Sequence, residues 1–198
     1  MTAAAVAALH LAALPLLCQG GGGHLPFKGV PLAGTVESFK EALAEKGMHP
    51  CARYAVDEDG MRGEYAKGRL LGRTVTVRIG YSPLSRTVRS VHTLLPARDE
   101  WEAALDEYVL FRGHFTAVHG EPSEREEGFD TPYREGDGRS IRALGEGKCR
   151  FRSVWRLPEG TVTLEIIPAG LNAQVLVVHT DGEGERTYRT EKLKTKNK

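Results

Sequence analysis

The sequence predicts an α+β fold of two tandem repeats, each a helix followed by an antiparallel meander, with the strands joined in a shared sheet and the helices packed on one face of it. Three observations carry this reading. Two amphipathic stretches with helical spacing, at residues 35–46 and 99–119, are each followed by short runs that alternate apolar and polar side chains. TVTVRIGYSPLSRTVRSVHT from Thr74 aligns without a gap on TVTLEIIPAGLNAQVLVVHT from Thr161, an offset of 161 − 74 = 87, and nine of the twenty positions match. A repeat of that length is one supersecondary unit copied. The 198 residues suit one domain or two small fused halves with a core of their own.

Residues 1–23 read as a signal peptide: residues 3–17 are apolar apart from His10, too short for a comfortable span, and Cys18-Gln19-Gly20 offers small residues for cleavage. No Lys or Arg precedes that run, and Leu17 before Cys18 is too large for a lipid-attachment site. The chain is therefore expected to be exported, to the periplasm, the cell surface or the medium, with no transmembrane segment once the leader is removed. The remaining division is a first repeat over 24–98, a second over 99–190 and a basic disordered tail over 191–198.

In the first repeat, Pro26 and Pro31 confine the opening run to an edge strand, since proline donates nothing to a ladder. Thr35 then caps a helix whose apolar face is Val36, Phe39, Ala42 and Leu43, and Gly47 ends it. Strands follow at 52–56, 63–71, 73–81 and 86–95; Val75, Val77, Ile79 and Tyr81 alternate with polar neighbours, the period of a sheet covered on one side. Asp57-Glu58-Asp59-Gly60 resembles the start of a calcium loop, but the twelfth position is Gly68, where a bidentate carboxylate is needed, so a hairpin turn is the reading.

The second repeat opens with a helix over 99–119. Asp99 and Glu102 form an acidic capping box, Trp101, Ala104, Leu105, Tyr108, Phe115 and Val118 make the stripe, Gly113 is a weak spot and Gly120 the stop. A polar, glycine-rich loop or short strand pair fills 121–147. Strands close the repeat at 149–157, 161–167 and 173–180, with a ragged extension through 186–193.

Composition excludes some classes of function. Lys and Arg number 27 against 26 Asp and Glu, a net charge of +1, so no overall field draws the chain to nucleic acid. His-Glu-x-x-His, Gly-x-Ser-x-Gly, Cys-x-x-Cys, the phosphate loop and the dinucleotide fingerprint are all missing, and neither a catalytic residue, a cofactor nor a metal is assigned. His114 and His119 are five apart, not the four that put two imidazoles on one helical face. His92 and His179 fall at equivalent repeat positions and read as sheet-packing residues. His49 beside Cys51 reads as a strand start.

Once exported, Cys51 and Cys149 form an even pair and a candidate disulfide closing a long loop, worth about 4–5 kcal/mol in the chain-entropy model. Two separately buried thiols are the open alternative. In CRFRSVWR, Arg150, Arg152 and Arg156 share one strand face opposite Phe151 and Trp155. This stripe is a candidate grip for an acidic partner, or else a solvated face balanced by Glu165.

His24-Leu25, Phe27, Gly29, Pro31-Leu32 and Gly34-Thr35, then His119-Gly120-Glu121-Pro122-Ser123, Cys149-Arg150-Phe151 and Gly160-Thr161, resemble a family of uncharacterised secreted bacterial proteins with an HLxFxGxPLxGT opening. The resemblance spans nearly the whole mature chain and implies export and a shared fold. Members often carry a second cysteine near the strand equivalent to residues 73–77, where this chain has none. At the level of architecture, duplicated helix-plus-meander units look like the β-lactamase inhibitor protein, whose sheet is a binding face. The function expected is thus a secreted or periplasmic, non-enzymatic module that binds a protein or glycan through its open sheet face or the 121–147 loop. The alternative is a hydrolase or other enzyme with a site formed by that loop and the histidines.

Overall fold

In the computed structural model the described residues are 23–51 and 64–196; the leader over 1–22, Cys18, the 52–56 strand and the Asp57-Glu58-Asp59-Gly60 turn lie outside them. The chain runs β1 (Pro26–Phe27), β2 (Val30–Pro31), α1 (Val36–Glu45), β3 (His49–Pro50), β4 (Glu64–Leu70), β5 (Arg73–Tyr81), β6 (Val88–Leu94), α2 (Trp101–His119), β7 (Glu124–Phe129), α3 (Ser140–Gly145), β8 (Cys149–Leu157), β9 (Gly160–Ala169), β10 (Asn172–Asp181) and α4 (Gly182–Lys196). It is a mixed α+β fold. Eight strands form one antiparallel sheet in the order β3-β4-β5-β6-β10-β9-β8-β7.

The opening run is not an edge of that sheet. β1 and β2 pair only with each other. Their alternate residues Leu25, Phe27, Val30 and Leu32 are buried, so the hairpin plugs the core instead of extending a ladder. Lys28 and Gly29 at its tip both have positive φ, 49° and 76°, the two-residue turn that suits a right-twisted hairpin.

α1 forms as its spacing dictates, with Ser38 N–H donating to the Thr35 hydroxyl (3.4 Å) and Val36, Phe39 and Leu43 buried. α2 starts two residues later than expected, at Trp101, with Glu100 at the cap and no side-chain cap bond, so the Asp99 capping box does not form. Gly113 lies within the unbroken helix, and Phe111 joins the buried stripe while Val118 is 60% exposed.

One sheet face carries Val75, Val77, Ile79, Val91, Val162, Leu164, Ile166, Val175, Val177 and Trp155, in a single core cluster with the apolar residues of α1, α2 and α3. Burying a side chain of this kind contributes about 1.5–3 kcal/mol each.

The centre of the sheet corrects the gap-free alignment. Val77 pairs with Thr93 in the first meander and Leu164 with Val177 in the second. Val77 to Leu164 is an offset of 164 − 77 = 87, but Thr93 to Val177 is 177 − 93 = 84, so the second hairpin is three residues shorter. An odd slip reverses faces. His92 therefore pairs with Val178 and His179 with Val91, which puts the two histidines on opposite faces of the sheet rather than at equivalent places.

Three further expectations change. The stretch expected as a strand extension and a disordered tail is α4, helical to Lys196. Asp181 caps it by accepting from Gly184 N–H at 2.8 Å, and a Glu185–Arg189 pair (3.0 Å) braces its exposed side. The 121–147 segment holds β7, which pairs with β8 as the sheet's last strand, and the short helix α3. Cys51 and Cys149 are both free. Cys51 follows edge strand β3, while Cys149 opens β8, six positions across the sheet, so at the usual strand spacing they stand roughly 25–30 Å apart, far beyond bonding reach.

Candidate functional site

Two surfaces gather the chemistry-bearing residues. The first is the outer face of the sheet. Cross-strand register sets one row as His49, Lys67, Thr76, Leu94, Leu176, Glu165, Arg152 and Glu126, one residue from each strand. The row beside it runs Arg78, His92, Val178, Thr163, Val154 and Glu124.

Arg150, Arg152 and Arg156 do share this face, as their alternation requires, while Phe151 and Trp155 point into the core against Trp101, Tyr108 and Phe115. Their charges are already met. Arg156 Nε donates to Glu124 (3.1 Å), Arg152 lies 3.5 Å from both Glu124 and Glu165, and Arg150 lies 3.5 Å from Glu126. Hydrogen bonding from Arg156 holds the Glu124 carboxyl below its ordinary range. The stripe is thus an alternating lattice of both signs, not a cationic patch. Leu94 and Leu176, a cross-strand pair and only half-buried, sit beside it.

Burial first, and then the charges of Arg78 and Arg89, lower the His92 pKa to about 4, so this imidazole on the outer face is neutral at physiological pH.

The second surface is a cleft of about 350 Å³ at the C-terminal end of α2. Two tight turns make its rim: Lys28-Gly29 between β1 and β2, and Leu71-Gly72 between β4 and β5, where Leu71 has φ 49° and Gly72 φ 77°. Lys28 Nζ donates to the Arg69 carbonyl at 2.8 Å and ties one turn to the other. Three imidazoles line it, His114 and His119 from the end of α2 and His179 from β10. His179 is 5% exposed, and the rings of Phe27 and Phe115 meet it edge-on at 5.3 and 5.7 Å. Burial, with the neighbouring His119 and His114, brings its pKa down to about 3.

The five-residue spacing of His114 and His119 argues against a shared metal; separately, among the described residues no group of three or more His, Cys, Asp or Glu is placed to hold a metal ion. What spacing missed is that both flank Phe115: His114 at 5.3 Å edge-on and His119 at 6.1 Å stacked. His179 meets the same ring from β10. No local signal marks that meeting, because its partners are 152 and 64 positions away (179 − 27, 179 − 115).

No residue of the 121–147 segment lines the histidine cleft, and Phe129 within that segment packs at the other end of α2. Trp101, at the start of α2, packs on Phe129 and Phe151 beside that loop, and Phe115, beside the histidines, is fourteen residues on, roughly 21 Å along the helix axis. Between them lies a polar knot. Tyr108 donates to Glu127 (3.0 Å) and shares a hydrogen bond with Ser153 (2.8 Å), while Arg125 (2.6 Å) and Arg112 also donate to Glu127. Burial tends to raise Glu127, but the donors from Arg125, Arg112 and Tyr108 outweigh it and hold the carboxyl at about 2. Burial pushes the Tyr108 phenol up to about 12. Every group there is committed to its neighbours, which makes the knot a brace between α2, β7 and β8.

None of the described helices is long and apolar enough to cross a membrane. The fold and these two surfaces define a mixed α+β protein built on one antiparallel sheet. Comparison with protein-family models, with curated proteins and with solved structures finds no match.

Proposed function

We propose that the chain is a non-enzymatic binding module working outside the cytosol, and that its partner, a protein or a glycan, lies on the outer face of the sheet. The observation that carries this reading is the half-buried Leu94–Leu176 pair bordered by the Arg150, Arg152, Arg156 and Glu124, Glu126, Glu165 lattice. Aliphatic side chains left partly in water, ringed by ordered charges of both signs, are the make-up of an interface core and its rim. The apolar run at residues 3–17 supports export.

The same reading takes the molecule as a tandem duplication with its helices on one face. β4 and β5 map onto β8 and β9 at an offset of 87, β6 maps onto β10 at 84, and a helix precedes each meander. The Thr93–Val177 pair then lies on the axis relating the halves, since each is the other's equivalent and they stand directly opposite.

Cross-linking of the whole chain in envelope extract tests the proposal. A partner held by the wild type should be lost with Arg152→Gln combined with Leu176→Lys, a pair of changes that adds no like charge to the carboxylates around Arg152, while the unfolding midpoint moves little. Capture that is equal for both proteins would overturn it.

A further inference from the structure

The geometry points to the cleft between the Lys28 turn, the Leu71 turn and the end of α2 as a binding site for a small apolar carboxylate, an aliphatic or aromatic acid of low mass. It is separate from the sheet face proposed above. Its walls are Phe27, Leu71, Phe115 and Val118, and about 350 Å³ is room for a small organic molecule. The polar side chains on its lining are Lys28 and the three histidines, with the Lys28 ammonium held at the rim by the Arg69 carbonyl; among the described residues no carboxylate lines it. Such a wall favours an anionic head on an apolar body.

The second, independent observation is His179. It is more than nine-tenths buried, and its Nδ1 has no hydrogen-bond partner among the described residues. A polar atom left so costs about 1–3 kcal/mol, and proteins rarely keep one without a use. The ring is held in place between Phe27 and Phe115 on the lining of the cleft, as a pocket with few, fixed polar groups requires. Lys28 is equally fixed, since its turn is pinned to Arg69.

Calorimetric titration of the whole chain with decanoate and with decanol, both below their aggregation limits, tests this. Saturable one-to-one binding of decanoate is expected, at least tenfold tighter than decanol. Val118→Trp, at a position 60% exposed and therefore tolerant of change, should fill the cleft and weaken decanoate at least tenfold. Lys28→Glu should lose the acid's advantage over the alcohol while leaving the alcohol's affinity alone. Absence of saturable binding, equal affinity for the acid and the alcohol, or decanoate affinity unchanged in Val118→Trp would each overturn the assignment.

Discussion

Asp181 accepts the backbone N–H of Leu25 at 2.8 Å, joining the first described turn of the chain to the end of its last strand. The same carboxylate, fully buried, takes the Gly184 N–H at 2.8 Å and His24 Nδ1 at 3.0 Å. One side chain therefore caps α4 and pins the plug formed by β1 and β2. Asp181→Ala leaves two backbone donors without acceptors, and a loss of about 2–4 kcal/mol is expected in urea unfolding. A loss below about 1 kcal/mol would show that the pinning is incidental.

Glu127 should give stability a measurable acid limb. Its folded-state pKa of about 2 is below the ordinary 4.5, so its contribution is complete above about pH 4.5 and is lost as pH falls toward 2. With the side chain 18% exposed, water screens the pairs, and about 1–2 kcal/mol is the expected size. Comparing unfolding free energy from pH 2 to 7, Glu127→Gln should be less stable than the wild type at neutrality and converge with it at the acid end. Parallel curves would refute the assignment.

The cysteines should behave as two unlike thiols. Burial pushes Cys149 up to about 12, so it holds almost no thiolate at neutral pH, whereas Cys51 is half-buried beside edge strand β3. Iodoacetamide should label Cys51 in the native protein and Cys149 only after unfolding, with no mass change on reduction. A mass gain of two hydrogens within the single chain would restore the bridge.

Much of the fold was legible because its signals are local. The alternation of Val75, Val77, Ile79 and Tyr81 gave β5 over its whole length, and the stripe from Trp101 to Phe115 gave the body of α2. α4 was hidden by its glycines. A Cβ at Gly184 would meet the Val88 carbonyl at 2.4 Å, so close packing on β6 demands a residue of low helix propensity in the first turn. The opposite facing of the two histidines was hidden by a coincidence of type: Val-His-Thr closes both aligned segments, yet His92 pairs with Val178 and His179 with Val91. The Arg150, Arg152 and Arg156 face was legible from alternation, and so was Glu165 as a balancing charge; Glu124 and Glu126 were not, because the register of β7 against β8 cannot be read from a polar stretch that suits a loop or a short strand pair equally. The cleft could not be read at all, since it depends on four segments, the β1–β2 turn, the β4–β5 turn, the end of α2 and His179 of β10, that only the tertiary fold brings together.

Gly160 offers the sharpest test of the strand packing. It pairs with Asp181 on one side and Leu157 on the other, so its backbone is held from both directions. A Cβ there would stand 2.1 Å from the Thr180 carbonyl oxygen and 3.2 Å from Asp181 Cα, both backbone atoms that cannot swing aside. Gly160→Ala should therefore cost about 2–3 kcal/mol by overpacking. Gly128 in β7 is the control, because a Cβ added there meets nothing within 4 Å. Gly128→Ala should be neutral or slightly stabilising through the reduced entropy of the unfolded chain. Since Gly160 lies directly opposite Asp181, the strain should also reach the Leu25 and Gly184 contacts. The double variant Gly160→Ala with Asp181→Ala should then lose less than the sum of the two single losses. Additive losses in urea unfolding would place the two residues in independent environments and contradict the pairing of Gly160 in β9 with Asp181 in β10.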